Sequence, residues 1–205
     1  MYTGITRGTF PVVDAQRRPG HLRYQVALPE PLRDGLTLGA SVAIDGVCQT
    51  VTEIEGDRVA FDAIEETLRL TTLGSLESGH LVSVERSARV GDEIGGHDVA
   101  GHVVGMGEIK ERRFDEERWD LCVGVPQDWM RYILAKGFIA VDGSSLPVGE
   151  TDPSGAFWLH LIPETLRLTN LGRKLAGDRV NIELDSRTVA IVDTVERVLA
   201  AREAP

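Results

Sequence analysis

Short runs of β-branched and apolar residues, each ended by turn-forming residues, dominate the first half of the chain. They occupy residues 42–44, 47–54, 58–64 and 81–86, and the first runs directly into Asp45-Gly46. Runs of this length, bounded by Gly and Asp, are typical of antiparallel β-strands. The pattern therefore predicts an all-β fold.

Helical periodicity is confined to two places. Val192, Val195, Val198 and Leu199 recur at helical spacing near the end of the chain, with charged residues on the opposite side. This spacing predicts an amphipathic helix. A shorter helix is predicted over residues 128–136, because the glycine that follows is a common helix stop.

The chain repeats itself, and the repeat defines its predicted domains. The matching blocks keep the same order: 42–51 with 139–148, 66–74 with 164–172, and 79–85 with 177–183. The middle block has eight identities in nine positions. We predict two copies of one β-domain, over residues 1–97 and 98–187, and a helix within residues 188–205. Two like domains suggest two like small-molecule sites; duplication for stability alone is the alternative.

Differences between the two copies mark candidate chemistry. Cys48 aligns with Ser145, and His102 aligns with Ile5. Cys48 is a candidate nucleophile or acid–base group, with a small buried hydrophobe as the alternative. His102 is a candidate for proton transfer, because only histidine titrates unperturbed near neutrality, and a structural histidine is the alternative. His97 lies five residues away, but no further ligands stand nearby, so no metal site is predicted.

A Glu-Thr-Leu-Arg segment follows a strand in each copy. Its hydroxyl and backbone groups suit the edge of a flat heteroaromatic ring. A helix start capped by Thr67 or Thr165 is the alternative. We expect Arg69 and Arg167 to be ion-paired at the surface, and the mixed-charge segment 110–120 to be a solvated hairpin tip.

Composition and charge narrow the classes of partner. The chain is 42% hydrophobic and 26% charged, as is usual for a globular protein. Its 22 basic against 32 acidic residues give a net charge of −10, which argues against binding nucleic acid or an anionic membrane. We expect neither a signal peptide nor a membrane span. Two cysteines without a Cys-x-x-Cys motif predict a cytoplasmic protein with no disulfide framework and no structural zinc.

Five motifs resemble one known family. They are the start Met-Tyr-Thr-Gly-Ile, which resembles Met-Phe-Thr-Gly-Ile, and the blocks 45–51, 95–103, 162–166 and 192–197. In this order they resemble the riboflavin synthases, a lumazine-binding family, over essentially the whole chain. The resemblance implies two six-stranded antiparallel β-barrels and a C-terminal helix that assembles a homotrimer. It also implies that a four-carbon unit passes between two molecules of 6,7-dimethyl-8-ribityllumazine, giving riboflavin and 5-amino-6-ribitylaminouracil without metal or cofactor.

The resemblance also implies the site, which forms where the N-barrel of one chain meets the C-barrel of the next. The implied catalytic residues are Cys48, His102, Asp185 and Ser145. The N-barrel would bind substrate through Gly4, Ile5, Thr6, Ser41, Cys48, Gln49, Thr50, Asp62, Ala63, Ile64, Glu65, Glu66, Thr67, Gly101, His102 and Val103. The C-barrel would use Lys136, Ser145, Leu146, Pro147, Ile162, Pro163, Glu164, Thr165, Leu166 and Arg167.

The chain departs from the family pattern at four points. Tyr2 adds a hydroxyl to the usual Phe, Gln49 replaces Leu, and Ser144 and Pro147 replace Ile and Thr. Proline removes both a hydroxyl and a backbone N–H from the C-barrel motif. The alternative function is therefore a non-catalytic lumazine- or flavin-binding antenna protein of the same fold. The retained Cys48, together with His102, Asp185 and the final helix, favours catalysis.

Overall fold

The computed structural model describes residues 1–203, and its first half is a closed antiparallel barrel. The six strands are β1 (Thr9–Arg18), β2 (His21–Ala27), β3 (Ser41–Ile44), β4 (Val47–Glu55), β5 (Arg58–Ile64) and β6 (Leu81–Arg86). Their order is β1-β2-β5-β4-β3-β6, and β6 pairs back onto β1. Alternate residues such as Leu22, Tyr24 and Val26 fill the interior, as the two-residue period of a strand requires. This is the N-barrel.

The second half repeats this order in a seven-stranded curled sheet, the C-barrel. Its strands are β7 (Gly105–Phe114), β8 (Trp119–Gly124), β9 (Phe138–Val141), β10 (Ser144–Pro147), β11 (Thr151–Asp152), β12 (Ala156–His160) and β13 (Arg179–Leu184). Their order is β10-β9-β13-β7-β8-β12-β11. The predicted all-β fold of two repeated antiparallel barrels is confirmed, with one strand of the second barrel in two pieces.

The interruption in the C-barrel lies where Pro147 stands. At an offset of 97, β10 and β11 together align with β4, and only residues 148–150 separate them. Proline has no N–H for the ladder, so the regular strand ends there. The backbone still bonds to β12 beyond this point, because Gly149 N donates to Trp158 O at 2.8 Å and Trp158 N donates to Glu150 O at 2.9 Å. The interruption is therefore local, and the curled sheet continues beyond it.

Besides the strands, the described part of the chain contains four α-helices and three 3₁₀ helices. The α-helices are α1 (Glu30–Arg33), α2 (Glu65–Leu70), α3 (Pro163–Leu168) and α4 (Ser186–Glu203); the 3₁₀ helices are Thr72–Ser75, Gln127–Tyr132 and Asn170–Arg173. The α-helix predicted over residues 128–136 is wrong: a 3₁₀ helix ends at Tyr132. Lys136 has φ +66°, a left-handed conformation that a right-handed helix does not contain.

The helix caps also differ from the prediction. The residues before α2 and α3 are Ile64 and Ile162, and neither helix has a side-chain cap, so the proposed caps Thr67 and Thr165 are wrong. The threonines that do cap are found one turn later. Thr71 accepts a hydrogen bond from the N–H of Leu73 at the start of the first following 3₁₀ helix, and its counterpart in the second repeat does the same.

Two Asp-Gly turns bring the barrels together. Asp45-Gly46 and Asp142-Gly143 are the tight turns after β3 and β9, and both aspartates have φ +45°. A Cβ on Gly46 would lie 2.4 Å from the backbone nitrogen of Gly143. The two turns thus stack backbone against backbone, and only glycine permits this approach.

A buried polar network surrounds these turns. Asp45 Oδ1 accepts from the N–H of Ser83 and from Asn170 Nδ2, both at 2.7 Å. Asp142 Oδ1 accepts from the N–H of Asn181 at 2.7 Å, and the Lys174 ammonium lies 3.5 Å from Asp142 Oδ2. Burial, and then the carboxylate of Asp142, raise the pKa of Asp45 to about 8. The folded chain therefore keeps a proton here at neutral pH.

This proton makes stability pH-dependent. An unfolded aspartate titrates near pH 4, so between about pH 4 and 8 the folded state binds more protons and the free energy of unfolding falls as pH rises. We expect the free energy of unfolding of Asp45→Asn, measured by urea unfolding, to rise relative to that of the parent chain by at least ~1 kcal/mol between pH 5 and 9. Asp57→Asn, at an exposed turn, should show no such trend; a flat difference for Asp45→Asn would contradict the buried proton.

The C-terminal helix presents two different faces. Its inner face docks on the C-barrel, where Val189 packs against the core and Tyr132 Oη donates to Asp193 Oδ1 at 2.6 Å. Its outer face carries apolar side chains that are 47–65% exposed: Ile191, Val195, Val198 and Leu199. The predicted helix is confirmed, and it begins earlier than its apolar stripe, at Ser186. Within residues 1–203 no helix combines the length and apolarity needed to cross a membrane.

Candidate active site

Two clefts occupy equivalent places in the two repeats. The N-cleft, about 260 Å³, is lined by Val47, Cys48, Glu66, Thr67, Leu70, Thr71, Gly101, His102 and Val103. The C-cleft, about 160 Å³, is lined by Gly4, Ile5, Thr6, Ser144, Ser145, Leu146, Ile162, Glu164, Thr165, Leu168 and Thr169. Apart from Leu146 and Ile162, each C-cleft residue has a counterpart in the N-cleft at an offset of 97 or 98. The repeat therefore produces two related binding sites.

Two irregular segments complete these clefts, and they cross between the barrels. We call residues 1–6 the first strap and residues 95–103 the second strap. In the first, Gly4 O accepts from Ser145 N at 2.8 Å, on the C-barrel. In the second, Gly101 O accepts from Cys48 N at 2.9 Å, on the N-barrel. Each cleft thus contains residues from both halves of the chain.

Buried glutamates anchor each strap on its own barrel. Thr3 donates through both its N–H and its hydroxyl to Glu85 Oε1 at 2.7 Å, and Glu85 belongs to β6. Glu183 on β13 accepts from the N–H groups of Ala100, at 2.6 Å, and Gly101, at 2.9 Å. Burial raises the pKa of both glutamates, although these hydrogen bonds oppose the shift. With the straps anchored in this way, the carbonyl groups of Gly4 and Gly101 accept hydrogen bonds from the opposite barrel.

Cys48 stands at the front of the N-cleft. Its side chain is half-buried on β4, and Sγ accepts a hydrogen bond from Tyr2 Oη at 3.2 Å. A Cβ on Gly101 would lie 2.7 Å from the Cys48 Cβ, so the second strap passes directly over this residue. His102 lies beside it, exposed, in the same cleft. The two candidate residues, one a thiol and the other an imidazole, therefore line the same cleft.

Ser145 occupies the equivalent position in the C-cleft. Its Oγ shares a hydrogen bond of 2.6 Å with His97 Nδ1, and the His97 ring stacks on Phe138 with centroids 5.3 Å apart. Burial lowers the pKa of His97, and the nearby carboxylate of Asp185 opposes the shift without cancelling it. A neutral imidazole thus holds the Ser145 hydroxyl.

Asp185 lies in a neighbouring cleft of about 290 Å³ together with His97 and Phe138. It precedes α4 and accepts from the N–H and the hydroxyl of Thr188, at 3.1 and 2.6 Å. Burial acts to raise the pKa of Asp185, but these hydrogen bonds outweigh it and the pKa is lowered. The group is therefore a carboxylate at neutral pH, and it reaches the C-cleft through His97 and Ser145 rather than directly.

The structure collects about half of the predicted site residues in the two clefts. Those in the N-cleft are Cys48, Glu66, Thr67, Gly101, His102 and Val103. Those in the C-cleft are Gly4, Ile5, Thr6, Ser145, Leu146, Ile162, Glu164 and Thr165. The assignment of Gly4, Ile5 and Thr6 to the N-barrel site is wrong. The first strap lies on the C-barrel instead, because Gly4 bonds to Ser145 and Thr6 Oγ1 lies 3.1 Å from Ser144 Oγ.

Other predicted residues lie outside the lining of the two clefts. Gln49 points into the N-barrel, where it accepts from Tyr24 Oη at 3.3 Å and donates to Cys48 O at 2.9 Å. Asp62 pairs with His21 at 3.1 Å on the barrel exterior. Arg167 is exposed and bonds to Glu164, as expected of a surface ion pair. The remainder are Ser41, Thr50, Ala63, Ile64, Glu65, Lys136, Pro147, Pro163 and Leu166.

Sequence reasoning missed several lining residues. They are Val47, Leu70 and Thr71 in the N-cleft, and Ser144, Leu168 and Thr169 in the C-cleft. Leu70 and Thr71 fall in the repeated block that ends at Gly74, so the repeat itself contained the signal. A larger cavity of about 600 Å³ lies around Asp45 and Lys174, and it contains none of the predicted residues.

The clefts offer hydroxyl, thiol, imidazole and backbone groups around apolar walls. Among the described residues, no cluster of three His, Cys, Asp or Glu side chains is arranged to hold a metal. The groups that line each cleft suit a flat heteroaromatic molecule with a polar edge.

Comparison with known proteins agrees with this chemistry. Residues 3–87 and 100–185 each match the lumazine binding domain, one match per repeat, and the chain belongs to this family. Within it, the chain is similar to proteins named riboflavin synthase. The relative from Escherichia coli (strain K12) is 51% identical over 204 residues, covering 99% of this chain and 95% of that protein. The relative from Buchnera aphidicola subsp. Baizongia pistaciae (strain Bp) is 38% identical over 200 residues, covering 97% and 94%.

Solved structures share the fold. LumP in complex with riboflavin superimposes with a TM-score of 0.84 at 25% identity, covering 91% of this chain and all of that chain. LumP in complex with 6,7-dimethyl-8-(1'-D-ribityl) lumazine has a TM-score of 0.80 at 24% identity, and this likeness concerns the fold alone.

Proposed function

We propose that this chain is a riboflavin synthase, which converts two molecules of 6,7-dimethyl-8-ribityllumazine into riboflavin and 5-amino-6-ribitylaminouracil. The observation that carries the proposal is the 51% identity to a riboflavin synthase over 99% of the chain. The two equivalent clefts support it, because the reaction consumes two identical molecules. In this proposal residues 1–97 and 98–187 are two lumazine-binding barrels, and residues 188–205 contain an assembly helix.

The chemistry asks the protein chiefly to hold two rings against each other. A proton leaves the C7 methyl group of one lumazine, a carbon–carbon bond forms to the other, and elimination completes the transfer. Well-oriented pairs of reactants gain about 7–11 kcal/mol from positioning alone. We assign binding to the cleft residues, proton or nucleophile transfer to Cys48 and His102, and orientation of the Ser145 hydroxyl to His97. Asp185 supports His97 as a fixed negative charge.

The proposal includes assembly into a homotrimer. The exposed apolar face of α4 supports it, because burying four adjacent apolar side chains is favourable and leaves the inner face of the helix docked. In such an assembly the N-cleft of one subunit meets the C-cleft of its neighbour, which brings the two substrates together. We place the protein in the cytoplasm, where its two free cysteines would stay reduced.

A non-catalytic flavin- or lumazine-binding protein is the alternative. LumP shares the fold and binds riboflavin, but at 25% identity it is far less similar than the synthases are. The presence of Cys48 and His102 in one cleft favours the enzyme over the binding protein.

A turnover assay decides between these two functions. We expect the purified chain, incubated with 6,7-dimethyl-8-ribityllumazine alone, to form riboflavin, seen as absorbance growing in the visible flavin band. Two lumazine molecules should disappear for each riboflavin formed. Lumazine that remains bound and fluorescent without turnover would show that the chain is a binding protein instead.

A further inference from the structure

The hydroxyl group of Tyr2 touches the reactive residue of the N-cleft. Tyr2 is 2% exposed, and its Oη donates to Cys48 Sγ at 3.2 Å. A buried phenol needs a hydrogen-bond partner, and a sulfur atom is an unusual one. The contact joins the first strap to β4, and 46 positions separate the two residues in the sequence.

The Tyr2 ring is held rigidly. Its backbone forms an antiparallel bridge with Val99, with N–H to O distances of 2.7 and 3.1 Å. The ring packs in a small buried cluster with Ala43, Val99 and Ala140, which come from the N-barrel, the second strap and the C-barrel. A group fixed by three parts of the chain has little freedom to turn its hydroxyl away from Cys48.

Cys48 is held from the other side as well. Its N–H donates to Gly101 O at 2.9 Å, and a Cβ on Gly101 would lie 2.9 Å from Tyr2 Cε2. Tyr2, Gly101 and Cys48 are therefore in mutual contact at the mouth of the N-cleft. Movement of the cysteine side chain would break the bond to Tyr2 or clash with the strap.

The equivalent serine has a similar support. His97, from the second strap, bonds to the Ser145 side chain at 2.6 Å, while the first strap bonds to the Ser145 backbone. At Cys48 the roles of the straps are reversed: the first strap bonds to the side chain through Tyr2, and the second strap bonds to the backbone through Gly101. In each cleft the residue at the front of the strand is thus held at its backbone by one strap and at its side chain by the other.

We propose that Tyr2 is a positioning residue for Cys48: the hydroxyl group of Tyr2 donates a hydrogen bond that fixes the Cys48 sulfur toward the N-cleft. Burial, and then Cys48 itself, raise the pKa of Tyr2 far above its ordinary value, so the phenol stays a donor throughout the working range of pH. The proposal rests on the proposed function for its effect on turnover, but the reactivity of the Cys48 sulfur is measurable without turnover.

Tyr2→Phe tests this role, because it removes one oxygen and keeps the ring. We expect iodoacetamide to alkylate Cys48 at least ~3-fold more slowly near pH 7.5, because the sulfur is then no longer held toward the opening of the N-cleft. Mass analysis of the Cys48 peptide measures the rate. With lumazine as substrate, kcat should fall ~5-fold or more, while the Kd for lumazine should change less than twofold.

Tyr24→Phe is the matched control. Tyr24 is fully buried in the same barrel, and its Oη donates to Gln49 Oε1 at 3.3 Å. We expect Tyr24→Phe to alter neither the alkylation rate nor kcat by more than twofold. An unchanged alkylation rate in Tyr2→Phe, or equal losses in both variants, would overturn the proposal. If the parent chain forms no riboflavin, the proposed function fails, and the alkylation rates still decide the role of Tyr2.

Discussion

Replacing Cys48 by serine is expected to lower the rate of riboflavin formation ~10²-fold or more, while the Kd for lumazine changes less than twofold. Serine fills almost the same space and can still accept the hydrogen bond from Tyr2. It is, however, a much weaker acid and nucleophile than cysteine, so a group that transfers a proton or attacks carbon loses its reactivity. A loss confined to kcat would identify an interaction made in the transition state.

The measurement combines riboflavin absorbance for turnover with lumazine fluorescence for binding. Cys122→Ser is the matched control, because Cys122 is the second free cysteine and lies buried on β8, outside the lining of both clefts. It should leave kcat unchanged, although it lowers the free energy of unfolding. If Cys48→Ser weakens binding as much as turnover, Cys48 is a packing residue and the assigned role is wrong.

Deleting the residues after Thr188 should convert the proposed trimer to monomers and reduce turnover ~10²-fold or more. The deletion removes Ile191, Val195, Val198 and Leu199, which form the exposed stripe of α4. Without that stripe the N-cleft of one subunit is no longer held against the C-cleft of the next, and the positioning of the two rings is lost. Sedimentation should then give a mass near that of one chain.

A point variant tests the same contact in a complete chain. Val195→Glu places a charge in the middle of the apolar stripe, whereas Ala190→Glu places the same charge on an exposed position outside it. We expect only Val195→Glu to dissociate the proposed trimer, with helix content unchanged by circular dichroism. A truncated chain that still sediments at three times its own mass would show that α4 does not assemble the subunits.

The strands and the duplication could be predicted from the sequence because each depends on local pattern. Turn-bounded apolar runs give β3, β4 and β5 directly, and Asp45-Gly46 predicts the tight turn between β3 and β4. The split of β10 from β11 depends on one residue, Pro147, whose position in the ladder is visible only once the pairing is known. The segment predicted as an α-helix over residues 128–136 forms a 3₁₀ helix that ends at Tyr132, and the left-handed conformation of Lys136 is not one that its residue type indicates.

The site was predicted less completely because it depends on contacts distant in sequence. The repeat aligns Gly4 with Gly101, but it does not say which barrel each one reaches, and the first strap reaches the C-barrel. Gln49 fits the strand alternation as an interior position, and its polar side chain makes sense only beside the Tyr24 hydroxyl. The link from Ser145 to His97 joins residues from different repeats, so no local motif contains it.

The crossing of the straps bears on how such a protein arose. A single-barrel ancestor would have had a strap with no second barrel in its own chain to reach, so two copies would pair about a two-fold axis and exchange straps. Such a dimer holds two identical ligands in identical surroundings. Two copies in one chain are free of that constraint, and they differ where Cys48 aligns with Ser145 and where His102 aligns with Ile5. Two molecules of one compound can then take unlike roles, one giving the four-carbon unit and the other receiving it.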